Sequence, residues 1–346
     1  MNRFSRRNFL KSSGAAAILS ASMSGSLLGR QDILKPPKLK AGDTVGVISP
    51  AGITYEPVRL EIMNDILAAL DFKMKAGSHV LDRWGFLAGT DDARASEINA
   101  MFADPKVKAI FTLQGGWGSA RLLPLLDYDL IRRHPKIVLG FSDITSLLIG
   151  IYAKTGLCTF HGPTANSTWN DFTVDYLKRL LCQGENVYFE NPQDKGDHLV
   201  AVKNRVCTIT PGKATGRLVG GNLTVLSAII GSDYLPNWEN HILFLEDIHE
   251  DIYRIDRMLT QLKLAGVLDK LTGFIFGKCS DCEPGGDYSS FTLLEVLNNH
   301  IKPLGIPAWY NSMIGHVKNK FTLPVGVRVQ IDAEQGTILM LESAVI

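Results

Sequence analysis

The sequence predicts an α/β fold in two lobes, each built from strands alternating with helices. Three observations predict it. Short β-branched runs alternate with stretches of helical periodicity, the pattern of a parallel sheet with helices on its faces. A length of 346 residues, at about 150 per domain, allows two domains. The alternation is interrupted over residues 166–217, which are more polar, more irregular and broken by Pro192 and Pro211. That stretch reads as a connector between an N-terminal domain over residues 31–165 and a C-terminal one over residues 218–346.

After a polar linker at residues 31–40, Thr44-Val-Gly-Val-Ile-Ser49 reads as a buried strand bounded by Gly42-Asp43 and Pro50. Residues 56–70 follow as a helix, with Ile62, Ile66, Leu67 and Leu70 on one face. Residues 91–102 form a second amphipathic helix, and residues 107–113 and 136–140 two further strands. The last of these feeds a helix over 143–154. Beyond the connector, Gly220-Gly221-Asn222-Leu223 is expected to open a helix. Strand 241–245, helix 253–264, strand 271–277 and helix 292–300 continue the alternation. Residues 327–332 and 337–341 flank a Glu334-Gln-Gly336 turn and read as a closing hairpin.

Composition narrows the function. With 45% hydrophobic and 21% charged residues the chain is neither disordered nor fibrous. Its formal charge of +1 hides an asymmetry, because Arg3, Arg6, Arg7, Lys11 and Arg30 fall in an N-terminus without acids. The remainder carries 31 basic against 35 acidic residues, near −4, and has no electrostatic footprint for nucleic acid. Residues 1–30 themselves read as an export signal: a basic start, then a short run of small apolar residues. The Arg6-Arg7 pair followed by Phe9-Leu-Lys11 resembles the twin-arginine type, which predicts a periplasmic or otherwise exported protein. The run is short and broken by serines and glycine, so stable membrane insertion after cleavage is not expected. Five cysteines (Cys158, Cys182, Cys207, Cys279, Cys282) are too few for a disulfide scaffold. Cys279-Ser-Asp-Cys282 has half of a zinc spacing and no second half, so it does not predict a zinc site. Two structural thiols at a strand end is the preferred reading, with a local disulfide open to an exported chain.

Candidate chemistry falls at strand ends, where α/β proteins bind ligands. In Gly140-Phe-Ser142-Asp-Ile a strand runs straight into a helix, which exposes the serine hydroxyl near helix N–H groups. Ile144 stands where the nucleophile-elbow pattern G-x-S-x-G has glycine, and Ser and Asp are also ordinary N-caps. Glu246-Asp247 ends another strand, and Gly315-His316 lies in a polar loop. Ser142, Glu246 and His316 would supply a nucleophile, an orienting carboxylate and a base. A solvated strand end and an exposed loop histidine are the competing readings of the last two. Spacing does not choose among eight histidines, and His161 and His249 are rivals. Gln114-Gly-Gly-Trp-Gly-Ser119 is a glycine turn whose N–H groups could approach a substrate oxygen. It lacks the Lys-Ser/Thr of a phosphate loop and the dinucleotide fingerprint.

Taken in order, these segments resemble a known family. Gly-Gly-Trp-Gly-Ser-Ala-Arg-Leu-Leu-Pro from Gly115, Gly-Phe-Ser-Asp-Ile-Thr from Gly140 and His161-Gly-Pro come first. Gly-Gly-Asn-Leu-Thr from Gly220, Leu-Glu-Asp from Leu245, Tyr-Arg-Ile-Asp-Arg-Met-Leu from Tyr253 and Gly315-His316 complete the series. Together they resemble the LD-carboxypeptidase family of serine peptidases, from about Lys40 to the C-terminus. The resemblance implies a nucleophile in the N-terminal lobe, Ser142, and a C-terminal lobe supplying Glu246 and His316. It also implies an oxyanion hole from the backbone N–H groups of Gly116 and Asp143, and no metal or cofactor. The implied reaction is release of C-terminal D-alanine from murein tetrapeptides, or, in related members, destruction of a microcin C-type peptidyl-nucleotide. A homodimer is left open. The competing class is a non-catalytic periplasmic binding protein, which shares the two lobes and the export signal but has no use for the Ser-Glu-His set.

Overall fold

The structure is a computed structural model that describes residues 33–193, 195–284 and 290–346, so the expected export signal lies outside the described residues. The first sheet takes β1 (Thr44–Ile48), β2 (Lys73–Ala76), β3 (Val107–Thr112), β4 (Ile137–Gly140) and β5 (Thr159–His161) from the N-terminal half. All five run parallel. β3 and β4 are buried almost throughout, as strands covered on both faces must be. The helices between them are α1 (Val58–Ala69), α2 (Asp91–Ala103), α3 (Tyr128–Arg133) and α4 (Thr145–Thr155). Thr90 starts α2 by accepting a hydrogen bond from the Ala93 N–H.

The region expected as a connector carries structure of its own. It holds α5 (Asp171–Lys178), β6 (Tyr188–Phe189), β7 (Cys207–Thr210) and the start of β8 (Lys213–Asn222). β8 lies where a helix start was expected, and only its last residue, Asn222, caps α6 (Leu223–Ala228). There follow β9 (His241–Ile248), α7 (Ile252–Leu264), β10 (Leu271–Ser280), α8 (Leu293–Ile301) and β11 (Ala308–Tyr310). The chain ends in β12 (Leu323–Val325), β13 (Arg328–Asp332) and β14 (Thr337–Met340). β13 and β14 form the expected antiparallel hairpin.

The second sheet has the order β6-β14-β13-β8-β9-β10-β11-β7, with β8 to β11 parallel and the outer strands antiparallel. The first has the order β12-β5-β4-β3-β1-β2, so the C-terminal strand β12 crosses back to pair with β5. The two sheets are therefore stitched together rather than split at one sequence boundary. Ile149 of α4, Phe160, Leu218 and Phe244 belong to one continuous core spanning both. Residues 33–40, expected as a linker, are also tied in: Leu39 is buried, and its N–H donates to the Leu181 carbonyl. Among the described residues no helix is long and apolar enough to cross a membrane.

The strand order reverses between β1 and β3, because β2 lies to one side of β1 and β3, β4 and β5 to the other. Such a switch point opens a crevice at the carboxyl ends of the strands. Here the loops after β1 and β3 meet, the Gly52 N–H donating to the Gly115 carbonyl (3.0 Å).

Candidate active site

Beside that switch point lies a cavity of about 270 Å³, lined by Gln114, Gly115, Gly116, Phe141, Ser142, Thr164, Asn166 and His316. Ser142 reaches it through a sharp turn. Phe141 follows β4 in extended backbone (φ −153°), Ser142 takes φ +62°, and a helical turn over Ser142–Ile144 leads into α4. A left-handed conformation costs an L-residue roughly 1–2 kcal/mol. The strain is the mark of a nucleophile elbow, present although Ile144 replaces the pattern's glycine. The glycine turn lies against this serine: a Cβ on Gly115 would come within 2.9 Å of Ser142 Cβ and 3.4 Å of the Asp143 nitrogen.

Asp143 does more than present its backbone. Its buried carboxylate accepts from the Ser119 N–H (2.8 Å), and its carbonyl accepts from the Ser119 hydroxyl (2.5 Å). Burial holds the Asp143 carboxyl above its usual value, an effect that the hydrogen bonds from Ser119 only partly offset. The elbow and the glycine turn are thereby clamped to each other. Gln114 closes the other wall, donating to the Gly52 carbonyl (3.2 Å) and to that of Ile53, and accepting from Asn166 Nδ2 (3.0 Å).

The second sheet supplies a carboxylate–imidazole pair. Glu246 is fully buried near the end of β9, so the reading of a solvated strand end does not hold. His316 Nδ1 lies 2.8 Å from Glu246 Oε2, which leaves Nε2 for the cavity, and its side chain is only 17% exposed. The Glu246 carboxyl is pushed up by burial, yet the His316 hydrogen bond and charge hold it below its usual value overall. Gly315 makes the approach feasible: at φ +108° a Cβ there would sit 2.5 Å from Glu246 Oε2. The His316 ring leans on Phe141, with ring centres 4.8 Å apart. Ser142 and His316 share the cavity without a hydrogen bond between them, and such bonds often close only around substrate.

The rival histidines are elsewhere. His161 is buried between Phe141 and Phe244, and burial lowers its pKa to about 4, so it stays neutral. His249 is exposed and faces Asp281 at 3.9 Å. Asp247, next to Glu246, is structural: it accepts from Asn222 Nδ2, from the Thr224 N–H and hydroxyl, and from the Ile248 N–H, all at 2.9 Å. Burial, with the neighbouring Glu246 charge, pushes its carboxyl up to about 6.

One feature beside the site escaped sequence reasoning, and one cysteine pair differs from the preferred reading. Lys320 is only 4% exposed, and its ammonium lies 3.9 Å from the centre of the Phe141 ring and donates to Ser167 Oγ (3.3 Å). Cys279 and Cys282 form a disulfide at the end of β10, against the expectation of two thiols: their Cα atoms lie 5.5 Å apart, within the bridging range. Among the described residues no group of His, Cys, Asp and Glu is arranged to hold a metal ion.

Comparisons agree with this architecture. The LD-carboxypeptidase N-terminal domain matches residues 45–162 and its C-terminal domain residues 215–331. A probable murein peptide carboxypeptidase of Bacillus subtilis is 36% identical over 311 residues, covering 88% of this chain and 94% of the relative. The microcin C7 self-immunity protein MccF of Escherichia coli is 34% identical over 328 residues, covering 88% and 94%. Among solved structures, MccF in complex with glutamyl sulfamoyl guanosine superposes with a TM-score of 0.81 at 30% identity, covering 90% of this chain and all of that one. A muramoyltetrapeptide carboxypeptidase from Oxalobacter formigenes gives 0.72 at 27%, covering 86% and 97%. These relatives displace the reading of a non-catalytic binding protein. The chain belongs to the LD-carboxypeptidase family and is a serine-type peptidase of two-sheet α/β build.

Proposed function

We propose that the protein is a carboxypeptidase that cuts an L–D peptide bond and releases C-terminal D-alanine from murein tetrapeptides. The observation that carries the reading is the His316–Glu246 pair at 2.8 Å, opening onto the same cavity as a serine held at φ +62°. Ser142 Oγ attacks the scissile carbonyl while His316 Nε2 takes its proton. Glu246 fixes the imidazole through Nδ1 and offsets its positive charge. The backbone N–H groups of Asp143 and Gly116 receive the developing oxyanion. His316 then protonates the departing D-alanine nitrogen, and water releases the acyl group by the same steps in reverse.

The test is mass spectrometry of purified muropeptides after incubation. The expected result is loss of one D-alanine from tetrapeptides, abolished in Ser142→Ala, which still binds the substrate. A tetrapeptide left intact by the unaltered enzyme would sink the substrate assignment. Near-normal rates in Ser142→Ala would sink the nucleophile. A second reading, hydrolysis of a microcin C-type peptidyl-nucleotide, is supported by the higher TM-score to MccF, so that substrate class belongs in the same assay. We further propose that the enzyme works outside the cytoplasm. The Arg6-Arg7 signal motivates this, and the Cys279–Cys282 disulfide supports it, since such bonds persist in oxidising compartments.

A further inference from the structure

We propose that the rim of the catalytic cavity carries a ring-stacking subsite for the sugar end of the substrate, built from Tyr55, Trp84, Phe86 and Trp117. The proposal rests on the muropeptide reading above and adds to it where the glycan lies. The four rings are 76%, 51%, 59% and 68% exposed, and they come from the three loops that follow β1, β2 and β3. Exposed single apolar residues are ordinary, but four aromatics gathered at one place are not.

The loops are knitted to the cavity. The Ile53 N–H donates to the Phe86 carbonyl (3.2 Å), and the Ala88 N–H to the Ala51 carbonyl (3.0 Å). Trp84 and Leu87 exchange backbone hydrogen bonds in a tight turn. Trp117 directly follows Gly116, which lines the cavity, and meets Phe86 edge-to-face at 6.3 Å. Guanidinium groups steady the other two rings, Arg83 over Tyr55 at 5.9 Å and Arg121 over Trp84 at 5.6 Å. Arg121 is itself held by Asp91 at 2.8 Å. The rings are thus positioned while more than half of each residue stays open to water.

The chemistry of the reaction says what would cover them. An enzyme that removes one terminal residue needs room for only that residue beyond the scissile bond. Everything else in the substrate extends from the acyl side. A cavity of about 270 Å³ is at the small end for a ligand site and cannot enclose a peptide bearing a disaccharide. Three extended residues reach roughly 10 Å, enough to carry the sugar from Ser142 out over the rim. Pyranose rings present flat C–H faces that stack on aromatic rings, and guanidinium groups donate to ring hydroxyls and carboxylates.

The experiment compares kcat/KM for a disaccharide-tetrapeptide and for the free tetrapeptide, in the unaltered enzyme and in Trp117→Ala and Trp84→Ala. The ratio of the two values is the readout. The unaltered enzyme should favour the disaccharide-bearing substrate by about tenfold or more, the worth of one or two stacked rings. Each variant should bring the ratio towards one, mainly through KM. Equal efficiency on both substrates in the unaltered enzyme overturns the subsite alone. So does a preference that survives when Trp84→Ala and Trp117→Ala are combined, or light scattering that finds a dimer which Trp117→Ala dissociates. Hydrolysis of neither substrate overturns the muropeptide reading and the subsite with it.

Discussion

Replacing Lys320 with methionine should make the protein more stable and less active. The Lys320 ammonium is buried beside the Phe141 ring, near Glu246, and burial lowers its pKa from 10.5 to about 8, with the Glu246 charge opposing. That drop means that keeping the group charged in the fold at neutral pH costs about 3 kcal/mol. Because the folded pKa lies below the unfolded one, the unfolded chain binds more protons between pH 8 and 10.5. The cost is complete below about pH 8 and disappears as pH rises towards 10.5. Methionine fills a similar volume and removes the charge, but it forfeits the ammonium–ring contact, worth up to about 2 kcal/mol when desolvated. Ser167 Oγ is not orphaned, since it also accepts from the Thr164 N–H. Urea unfolding at pH 7 should therefore show Lys320→Met stabilised by about 1–3 kcal/mol, with the advantage shrinking at pH 9.5. Turnover should fall by about tenfold, because the Phe141 ring on which His316 leans then loses the cation that holds it. A variant less stable than the parent at pH 7 would refute the reasoning.

Three shorter tests follow. Gly315→Ala places a Cβ 2.5 Å from Glu246 Oε2 on backbone at φ +108°; it should displace that carboxylate and cost at least about a hundredfold in turnover while circular dichroism stays native. Cys279→Ser with Cys282→Ser opens a loop of only a few residues, so the expected loss is about 2 kcal/mol or less, with activity intact in a chelating buffer; selective loss of turnover in the folded variant would give the cysteines a chemical role. Arg6→Lys with Arg7→Lys should retain the precursor in the cytoplasm on fractionation, and an unaltered protein already found there would end the export proposal.

What could be read from the sequence follows what local pattern encodes. β1, β3, β4 and β9 announce themselves because strands covered on both faces must be apolar runs. The edge strand β2, Lys-Met-Lys-Ala, has no such run, and β5, β6, β11 and β12 are two or three residues long. Their pairing partners, not their composition, make them strands. β8 was hidden because Gly220 and Gly221, two of its three glycines, read as the opening of a helix, and its first residues read as connector. The structure gives the reason for one of them, since a Cβ on Gly220 would overlap the Phe244 carbonyl on the neighbouring strand.

The same division holds at the site. Ser142 is encoded locally, by a strand of four residues running into a helical turn, so its exposed hydroxyl was legible. The choice among histidines was not, because it depends on a 2.8 Å contact between residues 70 positions apart. Lys320 was further out of reach. Four residues beyond His316 it looks like one more polar loop position, and only the return of that loop to the core, with the Phe321 N–H on the Met313 carbonyl, turns its side chain under Phe141. A buried cation that carries a cost of several kcal/mol is the kind of residue stability alone would discard. That is why its removal separates a structural part from a functional one: a structural lysine lost should weaken the fold, whereas this one, lost, should strengthen the fold and weaken the chemistry.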